Sequence, residues 1–235
     1  MSVLNPTTFL DLVQRFAVDV GAITDPAVQL PTIVGATGQA LTFSGYINQA
    51  WKEIQLIHAD WTFLRNSTSF TTVAAQTTYT AAQAGVVAGS VGQWSRESFR
   101  VYLTASGFPS EQRMTWLDYD DWRDTFLFGS LRTAQVQPLY IAATPSLGLA
   151  IPCPLPGYTI IGDYYASPVG LTADAEIPSL PSQFIMLIIY RATMAYAEFE
   201  SAPEVFAQGK RGYDLLFNKL ESSRLIEIRA AGALA

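Results

Sequence analysis

The chain has one histidine, His58, and one cysteine, Cys153, so metal or nucleophilic chemistry has little to work with. A single imidazole removes the zinc sites that are built on paired histidines. A Cys153–His58 dyad would need a base held beside the thiol and an oxyanion element close by. His58 falls instead on the apolar stripe of a predicted helix, and Cys153 sits between Pro152 and Pro154 with no Gly-rich segment beside it. Packing accounts for both. The densest acidic group, Asp118, Asp120, Asp121 and Asp124, lacks the turn glycine and distal glutamate of a calcium loop and carries Tyr119 and Trp122 between its carboxylates. Asp118 fits better as the cap of a short helix whose first turn favours negative charge. No phosphate loop, dinucleotide fingerprint, nucleophile elbow or zinc spacing occurs. A carboxylate pair brought together by folding would leave no local mark, and nothing singles one out. The expectation is a chain with no catalytic residue, no metal and no cofactor.

What the sequence carries in place of chemistry is apolar surface. Its 235 residues are 49% hydrophobic and 14% charged, against roughly 25% charged in ordinary soluble domains. The longest apolar run, Phe184 to Ala197, is interrupted by Arg191 and falls short of the ~20 residues of a spanning helix. It reads as a core helix, and no membrane partner is expected. The first basic residue is Arg15, between Asp11 and Asp19, which does not make a secretory n-region, and a lone cysteine suits a reducing cytoplasm. Apolar surface without a membrane is most simply covered by further copies of the chain, so a subunit of a permanent assembly is expected. The net charge of −6 argues against a protein that grips phosphates through a basic face. The charge is uneven: residues 204–229 hold five basic and four acidic side chains, leaving nine basic and sixteen acidic elsewhere. A near-neutral end on an acidic body points to different partners for different parts.

The elements that must carry these residues follow from spacing. Thr8 with Asp11 three residues on predicts a capped helix through Phe9, Val13, Phe16, Ala17 and Val20, ended by Gly21. A Pro- and Gly-containing loop leads to a second helix over about Leu41 to Ala59, striped by Ile47, Ala50, Trp51, Ile54, Ile57 and His58. Beyond Trp61 short segments rich in Thr, Val, Tyr and Phe predict strands at 67–73, 76–80, 99–105, 113–117, 139–143, 147–151 and 158–165, with a brief helix near Tyr119 to Phe128. Helices resume at Ser182, a predicted N-cap, and again at Pro203, whose helix contains Gly209 and Gly212. The fold class is therefore α+β: a discontinuous helical bundle, residues 1–60 and 182–235, with an inserted antiparallel β-sandwich or barrel at 61–181.

Phe70-Thr71-Thr72-Val73-Ala74-Ala75-Gln76 followed by Tyr79 resembles a hairpin common in neck and tail proteins of tailed bacteriophages, with Ala75 where glycine is usual. Pro152, Pro154, Tyr158, Gly162, Tyr164, Tyr165, Pro168, Leu171, Asp174, Pro178 and Pro181 then lead into Tyr190-Arg191-Ala192, Tyr196 and Ala202-Pro203-Glu204. That order resembles phage head–tail adaptors, the connector subunits below the portal. The resemblance implies a structural virion protein at the neck, assembled in the host cytoplasm. It implies a homo-oligomeric ring, usually twelve-fold, that binds the portal protein, completes the head after packaging, offers a platform to a tail or nozzle protein and lets double-stranded DNA pass without specific binding. It also implies a C-terminal segment that reaches the portal, for which Leu225, Ile226, Ile228, Arg229, Leu234 and Ala235 are the expected docking residues. Trp116, Tyr119, Trp122, Phe126 and Phe128 exceed what a short surface helix needs for packing and are the expected subunit contact. The alternative is a tail or baseplate accessory module that binds a glycan or tail partner.

Overall fold

A computed structural model of the chain describes residues 6–25 and 30–224. These divide into two compact units, one drawn from residues 1–63 and 168–235 and the other from 64–167.

The first unit is helical. In α1 (Phe9–Asp19) the predicted capping box is present: the Asp11 N–H donates to Thr8 Oγ1 at 3.2 Å, and the Thr8 N–H donates to Asp11 Oδ2 at 3.2 Å. Burial works to raise the pKa of the Asp11 carboxyl, but hydrogen bonds from Thr8 and Thr7 outweigh it and hold the group below its usual range. Such reciprocal bonds satisfy first-turn donors that the helix cannot satisfy itself. Gly21, at φ +74°, ends the helix as expected. α1 buries Phe9, Leu12, Val13, Phe16 and Ala17, while α2 (Gln39–Ile57) buries Phe43, Ile47, Ala50, Trp51 and Ile54. Phe16, Phe43 and Tyr196 meet edge to face, with centroids 5.4 to 6.0 Å apart.

α4 (Met186–Phe199) is the apolar run seen in the sequence, and seven of its residues are buried, among them Leu187, Ile188 and Ile189. Ser182 is not an N-cap: it opens a short 3-10 turn behind Pro181, and α4 starts without a side-chain cap. α5 (Pro203–Arg224) packs along α4 and buries only Gly209 and Leu220. Phe206, Tyr213, Leu216 and Phe217 are half-buried. The approach to α4 depends on missing side chains: a Cβ on Gly212 would lie 2.7 Å from the Tyr190 ring, and one on Gly209 would lie 3.2 Å from Met194 Cγ.

The return segment 168–181 belongs to this unit. Two amides of α2, seven residues apart and so on one face, hold it by its backbone. Asn48 accepts from the Leu171 N–H at 2.6 Å and donates to its carbonyl at 2.9 Å. Gln55 does the same to Val169, at 3.2 and 2.9 Å. Further along, Asp174 accepts from Thr32 Oγ1 and the Ile33 N–H, while the Phe9 and Leu10 N–H groups donate to the Glu176 and Asp174 carbonyls.

The second unit holds two sheets. The first is ordered β1–β9–β4–β5, formed by β1 (Arg65–Thr71), β9 (Tyr158–Ala166), β4 (Arg100–Leu103) and β5 (Gln112–Arg113), with β3 (Val91–Trp94) also on β9. The second is ordered β2–β8–β7–β6, formed by β2 (Thr78–Tyr79), β8 (Leu149–Ala150), β7 (Tyr140–Ala143) and β6 (Thr115–Trp116). Every pairing between these strands is antiparallel except β6 with β7. No barrel closes. Phe70, Val101 and Ile160 of the first sheet share one core with Tyr79, Ile141 and Leu149 of the second, a sandwich-like arrangement. β9 organises its sheet: it takes β1 on one edge and β4 then β3 on the other. Gly162 lies where that second edge changes partner, and a Cβ there would meet the Phe99 ring at 2.5 Å.

Candidate functional site

The residues with chemical potential are committed to structure. His58, at the end of α2, places Nε2 2.9 Å from Glu221 Oε1 on α5, and its ring meets Trp61 edge to face at 4.8 Å. It ties two helix ends together. Cys153 is buried in the other unit. Asp118 stands at the N-cap of α3 (Tyr119–Trp122), yet its side chain makes no cap hydrogen bond, contrary to the expectation from sequence. Asp120 and Asp124 pair with Arg123, at 3.5 and 3.2 Å. Among the described residues no group of three His, Cys, Asp or Glu converges as a metal site would, and no helix is long and apolar enough to cross a membrane.

The aromatic group expected at a subunit contact divides. Trp122 is fully buried in its own chain, packed with Ala142 of β7 and Ala150 of β8. Tyr119 stacks on Trp122 at 5.9 Å, Phe126 tilts on Tyr140 at 5.5 Å, and Trp116 tilts on Phe99 at 5.7 Å. Phe128, which follows a π-helical turn at Arg123–Leu127, is 57% exposed. Trp116 also lies under the Arg96 guanidinium, 5.9 Å from the ring centroid. These two, with Glu97, Arg113, Met114 and Thr115, line a cleft of about 470 Å³ in which Arg113 is paired with Glu97 at 2.6 Å. The expected portal-docking residues Leu225, Ile226, Ile228, Arg229, Leu234 and Ala235 lie outside the described residues.

A second cleft, of about 420 Å³, opens on the helical unit. α2 supplies Glu53, Leu56 and Ile57, α4 supplies Arg191, and α5 supplies Tyr213. Arg191 Nε donates to Glu53 Oε2 at 2.5 Å. Burial pushes the Tyr213 phenol up to about 12, opposed by Arg191 and reinforced by the Glu53, Glu221 and Asp214 carboxylates. Leu56 stands 68% exposed on the rim. The sequence held a signal for this cleft in two places. Arg191 is the one charge inside an apolar run and so demands a partner, and Leu56 falls off the stripe of Ile47, Trp51 and Ile54 and so has no core to enter.

Neither cleft presents a nucleophile paired with a base; both combine an arginine with an aromatic ring, and the second adds an aliphatic rim of Leu56 and Ile57. Compared with known families, residues 7–233 match the model described as SU10 adaptor protein, which spans both units. No curated protein matches.

Proposed function

The chain belongs to the SU10 adaptor protein family, a phage adaptor family with a structural role at the virion neck, and on that premise we propose that it is one subunit of a ring seated beneath the portal. The ring has twelve copies to match the portal, completes the head after DNA packaging and presents a platform to the next tail or nozzle protein. Its axis is the passage for double-stranded DNA. Assembly takes place in the host cytoplasm. The observation that carries the reading is the family match over residues 7–233, which takes in the helical ends and the inserted sheets together.

Two physical features support it. Scarce charge is accompanied by apolar side chains left in solvent in both units, among them Leu56 and Phe199 in the helical one and Phe108 and Phe128 in the other, as expected where permanent neighbours cover the surface. The excess of 20 acidic over 14 basic residues suits a channel that must not hold the DNA it conducts. Contact with the portal is assigned to residues 225–235, whose Leu225, Ile226 and Ile228 supply the apolar anchors. Deleting residues 230–235 should leave the thermal unfolding of the chain unchanged and weaken its capture by purified portal rings. Undiminished capture by the shortened chain would remove residues 230–235 from the docking role.

A further inference from the structure

The cleft lined by Arg96, Glu97, Arg113 and Trp116 holds more positive charge than its own carboxylate neutralises. Arg96 lies over the Trp116 ring and makes no ion pair among the described residues, while Arg113 is held by Glu97. Arg100, paired with Glu111 at 3.2 Å, stands directly opposite Arg113 across β4 and β5. Like charges in opposite positions of a sheet repel, and an exposed pair such as Arg113 with Glu97 contributes little and exchanges readily. The cleft is short of carboxylate. The turn from α4 into α5 has the opposite surplus: Glu198, Glu200 and Glu204 are exposed and make no ion pair among the described residues. Phe199, between the first two, is 73% exposed. At 3.6 residues per turn its neighbours project about 100° to either side of it, so the ring is flanked by carboxylates. Backbone bonds fix this corner: the Ala202 N–H donates to the Ala197 carbonyl at 2.9 Å and the Ser201 N–H to the Glu198 carbonyl at 3.4 Å, with Ser201 at φ +55°. That pattern closes the end of a helix and sets the direction in which the chain leaves it. An exposed ring flanked by unpaired carboxylates complements an indole flanked by arginines.

We infer that the α4–α5 corner of one copy of this chain enters the arginine cleft of a second copy, with Phe199 laid against Trp116 and the Glu198 and Glu200 carboxylates on Arg96 and Arg113. The inference rests on the reading of the chain as a ring subunit and names the two surfaces that join neighbours. Corner and cleft are different patches, so the contact runs head to tail and leaves each copy with one of the two free for the next, the arrangement from which rings close. Arginine and aromatic anchors are the residue types that dominate association energy. Charge fixes the pairing, since two corners would bring carboxylate onto carboxylate and two clefts arginine onto arginine.

The test is disulfide trapping between two variant chains, Thr115→Cys in the cleft and Ser201→Cys on the corner. Both positions are exposed, Phe199, Trp116 and the charges stay intact, and the buried Cys153 is left in place, with the products mapped by peptide mass. Mixed at equal concentration and oxidised, the chains join as one unlike pair or two like pairs. Docking holds the unlike thiols together, so the disulfide between the Thr115→Cys chain and the Ser201→Cys chain should exceed either like pair at least about tenfold. Statistical proportions would overturn the inference and leave the cleft to a carboxylate of a different protein; an excess of a like pair would overturn it in favour of a two-fold contact. Charge reversal adds a second readout. Glu198→Lys with Glu200→Lys in the corner chain should slow the unlike disulfide about tenfold, and Arg96→Glu with Arg113→Glu in the cleft chain should restore it; a rate indifferent to both reversals would overturn the contact. Ring formation on the portal is scored apart. Unlike disulfides from a chain that forms no ring leave this contact standing and remove the ring, whereas rings without the unlike excess do the reverse.

Discussion

Trp122 fills a hollow over Ala142 and Ala150 and is fully buried, although its indole N–H has no hydrogen-bond partner in the structure. Truncation of so large a buried ring removes its transfer free energy and leaves a cavity that the two alanines cannot close. Trp122→Ala should therefore lower the stability of the subunit by about 3–5 kcal/mol, read in denaturant titration. An unchanged midpoint with impaired assembly would return the residue to the interface. Ala75 presents the opposite case. It sits at φ +61°, in the left-handed region, where its N–H donates to the Pro154 carbonyl and the next N–H, from Gln76, donates to Val73. A side chain in this conformation costs about 1–2 kcal/mol, part of which glycine returns as unfolded-chain entropy, so Ala75→Gly should stabilise by about 1 kcal/mol. A loss of stability would contradict the turn geometry. The glycine usual at this place in the resembling hairpins has the same physical reason.

At the scale of elements, the α4–α5 contact depends on Gly212 lying under the Tyr190 ring. Gly→Ala in an open helix gains about 1 kcal/mol from propensity, and Gly45 in α2, with nothing within 4 Å of its missing Cβ, should show that gain. Gly212→Ala should instead lower the melting temperature, because the ring must move and the α4–α5 interface opens. Stabilisation at both positions would mean that the two helices are not packed as described. How far such elements can be read from sequence depended on whether their cause was local. α1 was legible because Thr8 and Asp11 form their box within one turn, and α4 because its apolar run has no break but Arg191. β3 was missed, since Gly92 in Val91–Trp94 breaks the alternation and the strand exists only because β9 pairs with it. The parallel pairing of β6 and β7 is likewise a property of topology. The role of Asn48 and Gln55 was hidden for another reason: an amide on a helix looks solvent-facing until the segment it holds, more than a hundred residues away, is in place. The aromatic residues 116–128 were conspicuous by composition, but composition cannot tell a ring buried on two alanines from one that faces a partner.

For the whole molecule, a chain with 14% charged residues leaves large apolar side chains in solvent, which the proposed assembly would cover. Membership of the SU10 adaptor protein family supplies the setting in which it would be completed, at the neck of a phage particle. That setting was reached from sequence through the order of residues from Pro152 to Glu204, several of which have mechanical roles in the structure: Gly162 admits Phe99, Leu171 is held by Asn48, and Asp174 fixes the loop at Thr32 and Ile33. The clefts themselves were not legible, because each is assembled from separate elements; only single residues of the helical one, Arg191 and Leu56, stood out in the sequence. The central claim is that copies of this chain close into a ring on the portal. Native mass measurement of purified portal rings, before and after addition of the chain, tests it most directly. The mass gained should equal twelve copies of the 25.7 kDa chain, with no partly filled species at saturation. A portal that gains no mass, or a chain that forms a closed trimer and ignores the portal, would contradict the account.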